Sequence, residues 1–178
     1  MWDQDLFRKA MNFAAEKHGD QRVPGYGYPY LYHISLVAIE VMTCLSVEPH
    51  DDPDLALQCA ILHDTIEDTG CTPAELEAAF GGSVASGVQA LSKKDSLPTG
   101  ERMRDSLERI LGQPREIWMV KMADRIVNLG PPPAYWTRQK RENYRNEARL
   151  IHDRLSAASP FLARRLAEKT DEYAAYLV

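Results

Sequence analysis

Only three cysteines occur in 178 residues, at Cys44, Cys59 and Cys71, and no two of them make a CxxC pair. That set supports no disulfide framework of the kind that braces small secreted domains, and it fits a reducing compartment. Basic side chains are in the minority: 21 Lys and Arg face 26 Asp and Glu, for a formal charge of −5. Binding to a nucleic-acid polymer draws on positive surface charge to displace counterions, so no such partner is expected. No continuous run of 18 apolar residues is present, which argues against a membrane partner. The opening Met1-Trp2-Asp3-Gln4-Asp5 places no basic stretch ahead of an apolar core, so no secretory leader is read there. The expected location is the cytoplasm.

What the chain does have is a 44% hydrophobic fraction, enough to bury a sizeable core. Its length leaves little room for two cores, so residues 1–178 are expected to form a single domain. Apolar residues recur at helical spacing almost throughout, while strand signals are few. The pattern predicts helices over about 5–18, 33–45 and from 54 onward, then 73–81, 83–91, 101–110, 114–128, 137–156 and 161–176. Thr72-Pro73-Ala74-Glu75 is a helix start with a capping hydroxyl, Pro in the first turn and Glu at the third position. Between the first two helices, Pro24, Gly25, Gly27 and Pro29 favour an ordered loop. Pro131-Pro132-Pro133 interrupts the pattern again. The expected fold is an all-α, compact helical bundle, with Cys44 and Cys59 as packing residues.

The segment that carries chemistry is His63-Asp64-Thr65-Ile66-Glu67-Asp68. If it continues a helix, His63 and Glu67 lie about 40° apart, as do Asp64 and Asp68, and the four side chains span roughly 140° of its face. Three carboxylates and an imidazole beside the apolar Ala60-Ile61-Leu62 are costly unless a metal, protons or cationic ligands compensate them. Each group alone reads equally well as a surface residue or cap. His50 and His152 show that ordinary case, lying in charged or loop-like sequence without a partner pattern. Asp124 and Asn128 make a second polar pair at i,i+4 after an apolar run. Asp124 could supply a distant hard ligand and Asn128 could orient substrate or water.

Taken in order, Phe13-Ala14-Ala15-Glu16-Lys17-His18-Gly19-Asp20-Gln21-Arg22, Tyr30-Leu31-Tyr32-His33, His63 to Thr69, Phe80-Gly81 and Val120 to Leu129 resemble the HD phosphohydrolase superfamily. The closer resemblance is to the hydrolase domain of RelA/SpoT enzymes and to small stand-alone guanosine tetraphosphate hydrolases, over about residues 6–150. The resemblance implies the HD-domain helical bundle. It also implies His33, His63, Asp64 and Asp124 as ligands to one divalent ion, usually manganese. Glu67 and Asp68 become the catalytic pair that activates and positions water, and Asn128 lies near the reacting phosphates. Arg22 matches the arginine that packs on the nucleobase. Val23 stands where the accompanying basic residue is expected, and the loop that follows is slightly extended.

The implied reaction is hydrolysis of the 3′ pyrophosphate of guanosine tetra- or pentaphosphate, with a phosphorylated guanosine nucleotide as partner. The synthetase region of the long enzymes is not expected in a chain of this length. Lys121, one turn before Asp124, is the best phosphate-binding candidate of the helical basic residues. Lys93 and Lys94 read as readily as loop solubilisers. Alternatives are a phosphohydrolase for another nucleotide such as NADPH, a catalytically inactive alarmone-binding module, or a purely interacting protein. Assembly as a homo-oligomer is left open.

Overall fold

Leu55 to Leu62 presents almost no polar face, and all eight of these residues are buried. A helix that is apolar on every side has to sit inside a bundle, and this one does. The structure, a computed structural model, describes residues 1–177. In chain order the helices are α1 (Gln4–His18), α2 (Tyr30–Val47), α3 (Pro53–Leu62), α4 (Thr65–Thr69), α5 (Pro73–Phe80), α6 (Gly82–Leu91), α7 (Thr99–Leu111), α8 (Arg115–Asn128), α9 (Arg138–Leu155) and α10 (Pro160–Glu172). Short 3₁₀ turns follow at Ser156–Ala158 and Tyr173–Leu177, so the last two helices end earlier than their apolar spacing suggests. No strand occurs among the described residues; the one isolated bridge pairs Arg22 with Pro29.

α3 packs against α1, α2, α6 and α8, and the buried apolar side chains join in one cluster. Its start is fixed by Asp52, whose carboxylate accepts from Leu55 N at 2.9 Å, while buried Glu116 of α8 accepts from Asp52 N at 3.1 Å. α8 is buried continuously from Met119 to Ile126, including Lys121, Asp124 and Arg125. α2 has the length and composition of a membrane span, with mean hydropathy 1.5, which amends the expectation drawn from unbroken apolar runs. In the bundle it buries Ile34, Val37, Ala38, Val41 and Cys44, and Glu40 pairs with Arg165 of α10.

The Gly/Pro segment is the ordered loop expected of it. Val23 N donates to Tyr28 O and Tyr30 N to Gln21 O, folding residues 21–30 back on themselves. Gly25 and Gly27 make this possible with φ of 86° and 70°, a region closed to most side chains. Tyr26 then donates its hydroxyl to Pro131 O at 2.8 Å, clipping this loop to the Pro131–Pro133 segment.

At Thr72 the hydroxyl accepts from Glu75 N and the Glu75 carboxylate accepts from Thr72 N, closing a capping box at the start of α5. Thr72→Ala should lower unfolding free energy by about 1 kcal/mol. Urea denaturation monitored by circular dichroism reads that loss, and an unchanged midpoint would show that the box contributes nothing.

Candidate metal centre

Adjacent residues on an ideal α-helix point about 100° apart, so His63 and Asp64 could not both reach one centre from a continuous helix. The chain resolves this by ending α3 at Leu62. His63 keeps helical angles, Asp64 shifts to φ −101° and ψ −1°, and α4 restarts at Thr65. This corrects the single helical face expected for residues 63–68. The break brings His63 Nε2 within 2.8 Å of Asp64 Oδ2. α2 and α8 supply the rest: His33 Nε2 lies 3.3 Å from His63 Nε2, 3.6 Å from Asp64 Oδ2 and 3.6 Å from Asp124 Oδ1. His63 Nε2 lies 3.7 Å from the same Asp124 oxygen.

Donors bound at about 2.1 Å to one ion sit roughly 3.0–3.5 Å from their neighbours. The spacings of 2.8–3.7 Å straddle that range. His63 Nδ1 lies 2.9 Å from Ala60 O, a contact in which the ring donates through Nδ1 and turns its Nε2 inward. Two imidazole nitrogens and two carboxylate oxygens make a set suited to a hard or borderline divalent ion. His33, His63 and Asp64 converge closely enough to hold a metal, and Asp124 borders them through its approach to both imidazoles.

The electrostatics of the cluster favour bound positive charge. Burial pushes His63 down, but the Asp64 charge and hydrogen bond, with Asp124 behind them, hold it up at about 9. Burial would raise Asp64, yet the charge of His63 and hydrogen bonds from both imidazoles keep its carboxyl well below the usual range. Asp124 is lowered against burial chiefly by Lys121, whose ammonium lies 3.2 Å from Asp124 Oδ2. Lys121 is itself buried and works first as the counter-charge to Asp124.

The two remaining carboxylates diverge. Glu67 accepts from Lys93 N at 2.8 Å and from Lys93 Nζ at 3.2 Å. Lys93 is thus more than a loop solubiliser; Glu67 raises its pKa against the effect of burial. Asp68 accepts from Gln21 at 2.8 Å, and burial together with the Asp64 charge raises its carboxyl. Asn128 donates to Asp124 Oδ1 at 2.5 Å.

Two cavities flank the cluster. One, of about 490 Å³, is an aromatic cleft lined by Tyr28, Tyr32, His33, Asn128, Trp136 and Tyr173, among others. The other, of about 180 Å³, is polar and lined by Asp64, Glu67, Asp68, Lys93, Lys121 and Arg125, among others. They share Asn128 and Tyr144. Arg22 is exposed on the loop, whereas its neighbour Val23 lines the aromatic cleft. Sequence reasoning assigned no role to Tyr30, which donates to Asp64 Oδ2 at 2.5 Å and stacks on His18. It also missed Gln21 and the cleft aromatics; only the density of Tyr between 26 and 32 hinted at them.

Residues 10–159 match the model of a family described as the HD domain. The chain belongs to that family. Relatives include the guanosine-3′,5′-bis(diphosphate) 3′-pyrophosphohydrolase MESH1 of Danio rerio, 38% identical over 141 residues and covering 76% of each chain. The MESH1 of Drosophila melanogaster is 31% identical over 167 residues, covering 91% of each. Among solved structures, a metazoan orthologue of SpoT described as hydrolysing ppGpp superposes with a TM-score of 0.84 at 26% identity, over 100% of this chain and 99% of its own.

A pH dependence follows from His63. A base whose folded pKa is raised contributes stability below its unfolded pKa and loses it as pH climbs through the folded value. Chelator-treated protein should therefore lose stability between pH about 6.5 and about 9. His63→Asn should flatten that decline. Denaturant titrations at several pH values decide it: equal slopes in both proteins would remove His63 from the account.

Proposed function

We propose that the chain is a metal-dependent hydrolase that removes the 3′ pyrophosphate of guanosine tetra- or pentaphosphate and releases pyrophosphate. The observation that carries this reading is the meeting of metal-type donors at the seam between an aromatic cleft and a polar, charge-lined cavity that holds Lys93, Lys121 and Arg125 among its carboxylates. A nucleotide with a flat base and a crowded set of phosphates has that same division. The family membership and the activity named for the MESH1 relatives support the substrate class.

His33, His63, Asp64 and Asp124 would hold the ion, for which manganese suits the mixed nitrogen and oxygen donors. When bound, such an ion acidifies water and offsets charge developing on phosphoryl oxygen. Glu67, oriented by Lys93, accepts the proton of the attacking water. Asp68, raised by burial and by Asp64, is suited to hold and pass on a proton. Water adds to the phosphorus joined to the ribose 3′ oxygen, that O–P bond breaks, and the 3′ oxygen leaves with a proton as a hydroxyl. Asn128, at the seam, orients the reacting phosphates, and Lys121 supplies positive charge behind Asp124. The base stacks among Tyr28, Tyr32 and Trp136, with Arg22 contributing from the rim. We read the described helices as one domain that presents this one centre.

Glu67→Ala should cut kcat for pyrophosphate release by about 10²- to 10⁴-fold while leaving manganese content near one ion per chain. Trp136→Ala should raise KM more than it lowers kcat, and Arg22→Ala should do so more weakly. Product mass analysis on guanosine tetraphosphate, guanosine pentaphosphate and NADPH tests the substrate. GDP plus pyrophosphate from the tetraphosphate is the expected result. Inactivity on both alarmones with clean turnover of NADPH would replace the substrate and keep the hydrolase; binding of alarmone by metal-loaded protein without turnover of anything would replace the hydrolase by a binding module.

A further inference from the structure

At the other end of α2 a second group of metal-type side chains converges. Cys44, on the last turn, places Sγ 3.4 Å from His50 Nε2 and 3.6 Å from Glu48 Oε2. His50 Nε2 and Glu48 Oε2 are 3.7 Å apart. A thiolate at about 2.3 Å, with imidazole and carboxylate at about 2.0–2.1 Å from a tetrahedral ion, would show edges of roughly 3.4–3.6 Å. The three observed edges lie close to that triangle.

The carboxylate is held in place by a second set of contacts. Ser159, the N-cap of α10, donates its hydroxyl to Glu48 Oε2 at 2.6 Å, and Phe161 N donates to Glu48 Oε1 at 2.7 Å. These bonds explain Glu48 as a splint between α2 and α10. They leave His50 unexplained: it follows Pro49 outside the helix, yet its ring turns inward to both Cys44 and Glu48. Cys44 is fully buried, and His50 keeps only 8% of its side chain exposed. Glu48 and His50 line a cavity of about 440 Å³, which gives an ion an entry path and room for solvent as a fourth ligand.

We propose that Cys44, Glu48 and His50 form a second cation site, selective for a borderline-soft divalent ion of the zinc type. Thiolate, carboxylate and neutral imidazole carry two negative charges, which the ion's two positive charges balance. Binding forms an S–metal bond as the thiol proton leaves to solvent. Burial holds the free thiol up at about 11, so that proton has to be displaced by the ion. Eleven residues of helix separate Cys44 from His33, about 16 Å along the axis, so the site is separate from the centre at the other end. Its sulfur ligand also separates it chemically from a nitrogen and oxygen set.

The test titrates chelator-stripped, full-length protein with cobalt(II) alone and follows the near-ultraviolet charge-transfer band that only a cobalt–thiolate bond gives. The band should be complete within two equivalents in the parent, where the other centre also takes an ion, and within one in Asp64→Ala, and zinc should displace it. Cys44→Ser should abolish it, while Cys59→Ser and Cys71→Ser leave it intact. His50→Ala, a loop substitution that does not empty the core, should weaken cobalt binding at this site at least tenfold; it decides the matter even if Cys44→Ser fails to fold. No charge-transfer band in the parent at saturating cobalt, an undiminished band in Cys44→Ser, or unchanged affinity in His50→Ala would each overturn the proposal.

Discussion

Two carboxylates and two imidazoles turned toward one another inside a helical bundle form a charge arrangement that the interior does not accept freely. Removing such groups from water costs several kcal/mol per charge unless partners replace the lost solvation. His63 and Asp64 satisfy each other, Tyr30 donates to Asp64, and Lys121 and Asn128 serve Asp124. These groups come from separate elements, so the centre exists only when α2, α8 and the α3–α4 junction are docked together. The apolar α3 does the docking. Its burial on every side fixes the positions of α2 and α8 around it, and with them the separation of His33 from Asp124.

The interruption between α3 and α4 is the local consequence. A helix distributes successive side chains around its axis, whereas this centre needs two successive side chains on one point. The backbone meets that need by shifting Asp64 to φ −101° and ψ −1°, and it retains the bond from Asp68 N to Asp64 O. The same break separates the two carboxylates that follow. Glu67 swings toward Lys93 and Asp68 toward Gln21, so the two carboxylates of the polar cavity have different partners. Their surroundings differ: Glu67 is pinned by Lys93, and burial with the Asp64 charge raises the Asp68 carboxyl.

Much of this was legible in the sequence because helical periodicity and capping chemistry are local. The capping box at Thr72, the ordered loop at Gly25 and Gly27 and the α8 boundaries follow from neighbouring residues. The all-α class follows from their sum, and the family resemblance supplied the residues of the centre. What could not be read depends on contacts between distant segments. The aromatic cleft joins tyrosines near residue 28 to Trp136 and Tyr173, which no spacing rule connects. Lys93 looked like an ordinary loop lysine because its partner Glu67 lies 26 positions earlier. The break at Asp64 was hidden for a different reason: its residues have good helical spacing, and only the tertiary demand for convergence overrides it.

α2 is where these threads meet. Its first turn carries His33 into the His/Asp cluster, and its C-terminal end carries Cys44 and the capping Glu48 to the junction with α10. Between them the helix is fixed by the apolar stripe from Ile34 to Cys44 and by the Glu40–Arg165 pair. A rigid rod secured at both ends gives His33 little freedom to drift from Asp124, and donor positions matter at the scale of a few tenths of an ångström. The splint of Glu48 to Ser159 and Phe161 therefore bears on the chemistry about 16 Å away, through the position of the rod and not through charge, which solvent and ions screen over such a distance. The first turn brings an imidazole to the donor cluster, and the last closes a joint that keeps the first in register.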